Sequence, residues 1–142
     1  MSASWAGFAA VLAGNALLTG VLAVRVWRQD HIPGRRAFSL SMVALAIWAL
    51  GYAGETVAGS VAAKTAWLRA ENVGIVTLVP FFFLFALRYT GGSVRAVRIA
   101  AALVFLVPAV TLHILASDRT ARWHYAALAP FYRKVTFSEA YG

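Results

Sequence analysis

Four polar residues lie in or next to the long apolar runs of this sequence: Glu55, Arg69, Glu71 and Asn72. Ionisable side chains in or beside a membrane-spanning segment are costly, so they indicate a functional site until a structural role is found for them. The cluster could bind a polar ligand or transmit a conformational change. The alternative is an interfacial salt bridge that pins two helices together. That alternative is favoured for Glu55, and both readings stay open for Glu71 with Asn72.

Spacing gives these side chains a first arrangement. Arg69 and Glu71 are two residues apart, so on a helix they point to opposite sides. We therefore expect Arg69 to face Glu55 across a helical hairpin, while Glu71 looks toward another helix.

Other residues that could do chemistry do not form a convincing site. A metal site needs several converging ligands, and nothing in the spacing of His31, His113 and His124 requires one. Ser117, Asp118 and His124 make a poor catalytic triad with no sign of an oxyanion hole. The sequence has no Cys and no phosphate-binding glycine-rich loop. It therefore predicts no catalytic residues, no metal and no cofactor.

The composition identifies the solvent in which such residues would work. Of the 142 residues, 61% are hydrophobic and 13% are charged, against about 45–50% and about 25% in soluble domains. The mean hydropathy is +0.73. A small soluble fold could not hide this much apolar surface, and a disordered chain could not keep it in water. The chain is predicted to be an integral membrane protein.

The net charge of +8 would suggest nucleic-acid binding in a soluble protein. Here the basic residues lie mostly between apolar blocks, where lipid head groups and orientation rules account for them. We therefore expect the lipid bilayer, and no nucleic acid, as a partner.

The apolar runs predict the secondary structure. A spanning helix needs about 20 mostly apolar residues, and the runs are continuous rather than alternating as in a membrane barrel. The fold class is predicted as all-α: a polytopic membrane protein of four antiparallel transmembrane helices, or part of a seven-helix bundle. Residues 1–142 are interpreted as one transmembrane domain, with an extracellular tail at 118–142. The predicted helices cover residues 5–27, 37–58, 65–88 and 98–117.

Charges in the loops predict the orientation. The first and third loops carry seven arginines, whereas the second carries Lys64 and Arg69. Because positive charge accumulates on the cytoplasmic side, the N-terminus is expected outside. The first run has no Lys or Arg before it, so it is interpreted as an anchor rather than a cleaved signal.

Two further patterns concern helix packing. Small residues spaced by four favour close helix contact, and proline inside a helix favours a kink. The small residues are Ala6, Ala10 and Gly14 in the first helix and the pairs Ala49 and Ala53 and Gly54 and Ala58 in the second, and the prolines are Pro80 and Pro108.

A longer pattern resembles a known family. It comprises Trp48, Gly51 and Gly54-Glu55, then Lys64, Trp67, Glu71-Asn72 and Gly74, then Pro80 and Phe85 with Tyr89-Thr90-Gly91. This order resembles the N-terminal seven-transmembrane sensor region of bacterial histidine kinases, which also precedes diguanylate cyclases. In that family an acidic residue closes the second helix, and a Lys and a Trp open the third. A proline lies in mid-helix, before an aromatic exit.

The resemblance carries expectations of its own. It spans Trp5 to about Ser117 and is specific between Trp48 and Gly91. The family has seven helices and this chain supplies four, so it is expected to be truncated. Where relatives often show Thr-Asn, this chain has Ser117-Asp118.

The resemblance implies a sensory input domain in the bacterial inner membrane. It would sense an unknown ligand and pass the signal to a cytoplasmic kinase or cyclase absent from this chain. The expected mechanism is a small shift of packed helices, in a homodimer formed through the full-length parent. The alternative is a complete small four-helix membrane protein that serves as a transport-complex subunit or structural partner.

Overall fold

The computed structural model of the protein describes residues 3–116, and every regular element in that range is an α-helix. The predicted all-α fold class is confirmed. The predicted tail at 118–142 lies outside the described residues. The helices are α1 (Ala3–Trp27), α2 (Arg35–Val57), α3 (Val61–Tyr89), α4 (Val94–Val104) and α5 (Leu106–Ala116).

Four helical segments are long and apolar enough to cross a membrane, with α4 and α5 together supplying the fourth. Their large side chains point outward: Val11 is 71% exposed and Val61 is 82% exposed. Apolar surface on this scale is stable in lipid and not in water. The protein is therefore a multi-pass membrane protein. The segments are Trp5–Trp27, Arg35–Val57, Val61–Tyr89 and Val94–Ile114.

Serine caps set the starts of the third and fourth spans. The Ser60 hydroxyl accepts a hydrogen bond from the Ala63 amide, and Ser93 does the same for Ala96. Such caps satisfy amides that a helix start otherwise leaves without a partner. As a result α3 begins at Val61, four residues before the predicted start, and α4 begins at Val94 rather than at 98.

The fourth span is interrupted at Phe105, which separates α4 from α5. Pro108 lies three residues beyond the interruption. It has no amide hydrogen to donate to the Val104 carbonyl, and its ring crowds that carbonyl. Pro80 has a milder effect, because α3 continues through it as one helix.

The described chain divides into two compact units, with the boundary between Ala109 and Val110. Of the second unit, the structure describes only residues 110–116, the end of α5. Within the first unit α2 lies between α1 and α3, α3 also contacts α4, and α1 does not reach α3. The core is correspondingly thin, and small residues dominate it.

Small residues on α1 pack differently from the prediction. Ala6, Ala10 and Gly14 are exposed, and a Cβ added at Gly14 would meet nothing within 4 Å. Frequent alanines and glycines leave the rotational phase of this helix undetermined by sequence. The buried residues of α1 are Ala16, Thr19 and Ala23, whereas Ala49 and Ala53 of α2 are buried as expected.

Glycines join α2 to the far end of α3. Gly34 has a φ of 77°, and a Cβ at this position would lie 3.0 Å from Cβ of Arg88. One turn inward, the rings of Phe38 and Phe85 meet edge to face with centroids 5.0 Å apart. The start of α2 is thus fixed beside the end of α3, and the two helices run antiparallel.

Candidate functional site

The helices α2 and α3 approach each other closely at Gly51 of α2 and Gly74 of α3. A Cβ at Gly74 would lie 2.6 Å from the Ala44 carbonyl oxygen and 2.6 Å from the Trp48 nitrogen. A Cβ at Gly51 would lie 2.8 Å from the backbone nitrogen of Glu71. Real Cβ atoms do not come this close to backbone, so the two helices touch main chain to main chain. Small residues permit such contact in lipid.

Helical spacing explains why these residues meet. On α2, Trp48, Gly51 and Gly54 recur every three residues, and on α3, Trp67 and Glu71 are four apart. Each set forms one stripe along its helix. The stripes face each other, because the Trp67 indole occupies the space that a side chain at Gly54 would fill. We call the set Trp48, Gly51, Gly54, Trp67, Glu71 and Gly74 the hairpin contact.

Glu71 supplies the ionisable group of the hairpin contact. The indole nitrogen Nε1 of Trp48 donates a hydrogen bond to Oε1 of Glu71 at 3.1 Å. The other carboxylate oxygen, Oε2, is buried and has no hydrogen-bond partner among the described residues. The Glu55 carboxyl lies near enough to interact electrostatically with Glu71 and to share a hydrogen bond with it when one of the two is protonated. Oε2 of Glu71 can accept a further hydrogen bond, and such a bond would offset the cost of burying this atom without a partner.

The depth of Glu71 follows from the length of α3. Glu71 precedes Arg88 by 17 residues, which is about 26 Å of helical rise. The hydrocarbon layer is about 30 Å thick. We therefore expect Glu71 to lie inside the apolar layer, near its opposite edge, when Arg88 lies among the head groups.

The structure distributes the four predicted site residues over different environments. Spacing suggested that Glu71 faces a helix outside the α2–α3 hairpin. This prediction is wrong, because Glu71 lies on the α2 side of α3, in phase with Trp67. The Asn72 amide donates to the Leu68 carbonyl of its own helix at 2.8 Å. Arg69 is an exposed residue of α3. Its expected orientation toward Glu55 stays a prediction.

The packing roles of Trp48, Gly51 and Gly74 were not predicted, because these residues had been noted only as part of the family resemblance. A signal was present. Glycines and a tryptophan recur at three-residue spacing on α2, opposite a tryptophan, a glutamate and a glycine spaced by four and three on α3. Aligning these two stripes would have placed Glu71 against α2.

Metal binding finds no support in the described part of the chain, where no group of three His, Asp or Glu side chains could hold an ion. The hairpin contact offers instead one hydrogen-bonded carboxylate in an apolar setting. Such a group can accept a donor from a ligand or from another helix.

Comparison with known proteins assigns the chain to a family. A family model described as the N-terminal 7TM region of histidine kinase matches residues 11–141, which confirms the resemblance seen in the sequence. The match includes every residue of the hairpin contact. No curated protein matches the chain, and no solved structure does.

Proposed function

Because the chain belongs to the family of N-terminal seven-transmembrane regions of histidine kinases, we propose that it is the sensory input region of a membrane signalling protein. It registers a signal that reaches the membrane and passes it to a cytoplasmic output domain outside this sequence. The sensor region itself is not the catalytic part. Its signal is a ligand of unknown chemistry, and its parent acts as a homodimer.

The observation that carries this proposal is the convergence of family-pattern residues on one contact. Trp48, Gly51 and Gly54 of α2 meet Trp67, Glu71 and Gly74 of α3. Main-chain contact holds the two helices in one register, since any shift would bring bulkier residues into the glycine positions. A displacement of packed helices by an ångström or two is a common way of transmitting a signal.

The Glu71 carboxylate is the group through which a ligand can change the register of α2 and α3. Glycines alone would suffice for tight packing in lipid, whereas a carboxylate at this depth is costly. A new donor at Oε2 would stabilise one helix arrangement relative to another. A ligand shifts such an equilibrium only by the difference between its binding free energies for the two arrangements. Contact with Glu71 would supply that difference.

The proposal also includes a location. We place the protein in the bacterial inner membrane, and the seven arginines of the first and third loops support an orientation with the N-terminus outside. In that orientation the α2–α3 turn and Glu71 lie toward the outer face, and Arg35 and Arg88 lie toward the cytoplasm.

The decisive experiment replaces Glu71 with Gln in the protein encoded by the intact gene. Glu71→Gln keeps the acceptor for Trp48 and converts the orphaned oxygen into a donor without charge. We expect kinase or cyclase output in isolated membranes to change by about fivefold or more, the lower end of usual coupling between sites. Trp48→Phe should also change output, because it removes the indole donor to Glu71 but keeps an aromatic ring.

Asp30→Asn is the matched control. It makes the same acid-to-amide change at the Asp30–Arg35 ion pair in the α1–α2 loop, and its output should equal that of the wild type. Unchanged output for Glu71→Gln at equal membrane levels would contradict a sensing role for Glu71.

Reading the gene beyond the codon for Gly142 tests the function as a whole. We expect further apolar segments and an output domain in the same frame. A stop codon there in an intact gene would contradict the proposal. It would favour a small four-helix protein that serves a transport complex or a structural partner.

A further inference from the structure

An open groove of 710 Å³ runs between α1 and α2. Leu17 and Gly20 of α1 line it on one side, and Ala46 and Leu50 of α2 line it on the other. Its surface is apolar except at one end, where Arg25 closes it. Along the apolar part of this lining a polar ligand would find no hydrogen-bond partner, whereas a hydrocarbon chain would make van der Waals contacts.

The length and position of the groove match one leaflet of a bilayer. The lining of α1 extends from Ala13 to Arg25, which is about 18 Å of helical rise. Half of the hydrocarbon layer is about 15 Å. Arg25 lies in the last turn of its span, at head-group level, so the groove runs from the membrane surface to about the midplane.

Charge identifies what belongs at the surface end. In the described part of the chain no carboxylate forms an ion pair with Arg25. Guanidinium groups bind phosphate oxygens in a two-pronged geometry, and juxtamembrane arginines attract anionic lipids. Apolar packing alone does not favour one lipid over its neighbours in a bilayer, so selectivity must come from this end.

We propose that the α1–α2 groove binds one anionic phospholipid, with an acyl chain along Leu17 and Gly20 and the phosphate on Arg25. The site is separate from the hairpin contact and does not depend on the proposed function. It adds a lipid-binding site to a chain whose other candidate site is polar.

Electron spin resonance of labelled lipids tests the proposal on the full chain in phosphatidylcholine vesicles. The probes are phosphatidylglycerol and phosphatidylcholine, each spin-labelled deep in one acyl chain. The measured quantity is the ratio of their association constants with the protein. We expect the wild type to immobilise phosphatidylglycerol preferentially.

Two pairs of variants separate the groove from general surface charge. Gly20→Leu fills the groove, and Gly14→Leu adds the same side chain outside it; a Cβ at either position meets nothing within 4 Å. Arg25→Gln and Arg28→Gln remove the same charge, but only Arg25 lines the groove. Helical content by circular dichroism confirms that each variant has folded.

We expect Arg25→Gln to lower the phosphatidylglycerol preference by about fivefold, as for the loss of one membrane-surface charge. Gly20→Leu should release the immobilised phosphatidylglycerol. Gly14→Leu and Arg28→Gln should change the preference by less than half as much.

Equal losses within either pair would overturn the proposal, since they would show a diffuse effect of charge or bulk. A change in self-association for Gly20→Leu, with unchanged lipid preference, would also overturn it. The groove would then be a contact between copies of the chain.

Discussion

The Trp48–Glu71 hydrogen bond and the two glycines beside it depend on one another. The indole nitrogen reaches the carboxylate at 3.1 Å because Gly51 and Gly74 let the two main chains touch. A larger residue at either glycine would separate the helices and weaken this bond. Packing and polar chemistry at this contact therefore change together.

Gly74→Ala tests that dependence. Its methyl group would collide with the Ala44 carbonyl and the Trp48 amide, and relieving such overpacking typically costs about 1–3 kcal/mol. We expect the free energy of unfolding to fall by this amount, measured by SDS titration with circular dichroism. Gly14→Ala is the control: its position is open, so stability should stay the same or rise by up to about 1 kcal/mol. Equal stability of the two variants would argue against main-chain contact at Gly74.

At this scale the sequence identified charges better than contacts. Glu71 was singled out because a carboxylate stands out in an apolar run. Gly51 and Gly74 were not assigned a role, because small residues are frequent throughout the chain. The side of α3 that packs on α2 depends on the rotation of both helices about their axes. The spacing of Arg69 and Glu71 indicates only that their side chains point to opposite sides of α3. The neighbour of Glu71 was therefore wrongly predicted.

Helix ends are determined by caps and prolines rather than by the outermost charges. The helix ends predicted from the sequence lie near charged residues, which mark the edge of the hydrocarbon layer. The 29 residues of α3 rise about 43 Å, well beyond the about 30 Å of that layer. For this reason Lys64 belongs to the helix, and the Ser60 cap marks its start. The existence of each span was predictable, but its ends needed the cap geometry.

The break at Phe105 is attributable to one residue. Phe105 has a ψ of −7°, whereas a regular α-helix has about −42°. Pro108→Ala restores an amide that can donate to the Val104 carbonyl. We expect the ψ of Phe105 to move toward the helical value, as measured by solid-state NMR torsion angles, and α4 and α5 to become one helix.

Pro80→Ala serves as the comparison, because α3 is already continuous through Pro80. Torsion angles around residue 80 should stay helical in both forms. An unchanged ψ at Phe105 in Pro108→Ala would mean that packing around Phe105, whose ring meets Phe81 at 5.0 Å, causes the break instead.

For the whole molecule, composition was sufficient to predict a helical membrane protein. Few other classes of fold could accommodate such an excess of apolar residues in four long runs. The order of helix neighbours was not predictable in the same way, because each apolar run could pack with any other. The structure places α2 between α1 and α3, and glycines account only for the α2–α3 side of this order, because a Cβ at Gly14 or Gly20 of α1 would meet nothing within 4 Å.

Orientation in the membrane is testable because the sequence has no cysteine. Single cysteines at His31 and Arg95 should react with a membrane-impermeant maleimide only after the cells are permeabilised. A cysteine at Gly59 should react in intact cells, since the α2–α3 turn is expected outside. Labelling of His31→Cys or Arg95→Cys in intact cells would reverse the proposed orientation, and the cysteine-free parent measures the background.

The neighbour order within the first unit has a consequence for biosynthesis. Each of α2, α3 and α4 packs on the helix made just before it, and α1 does not reach α3. Contacts between segments close in sequence form quickly, and chains assemble from the N-terminus during translation. We therefore infer that α2 docks on α1 before the ribosome has completed α3. The hairpin contact then closes as α3 leaves the translocon, without waiting for any later segment.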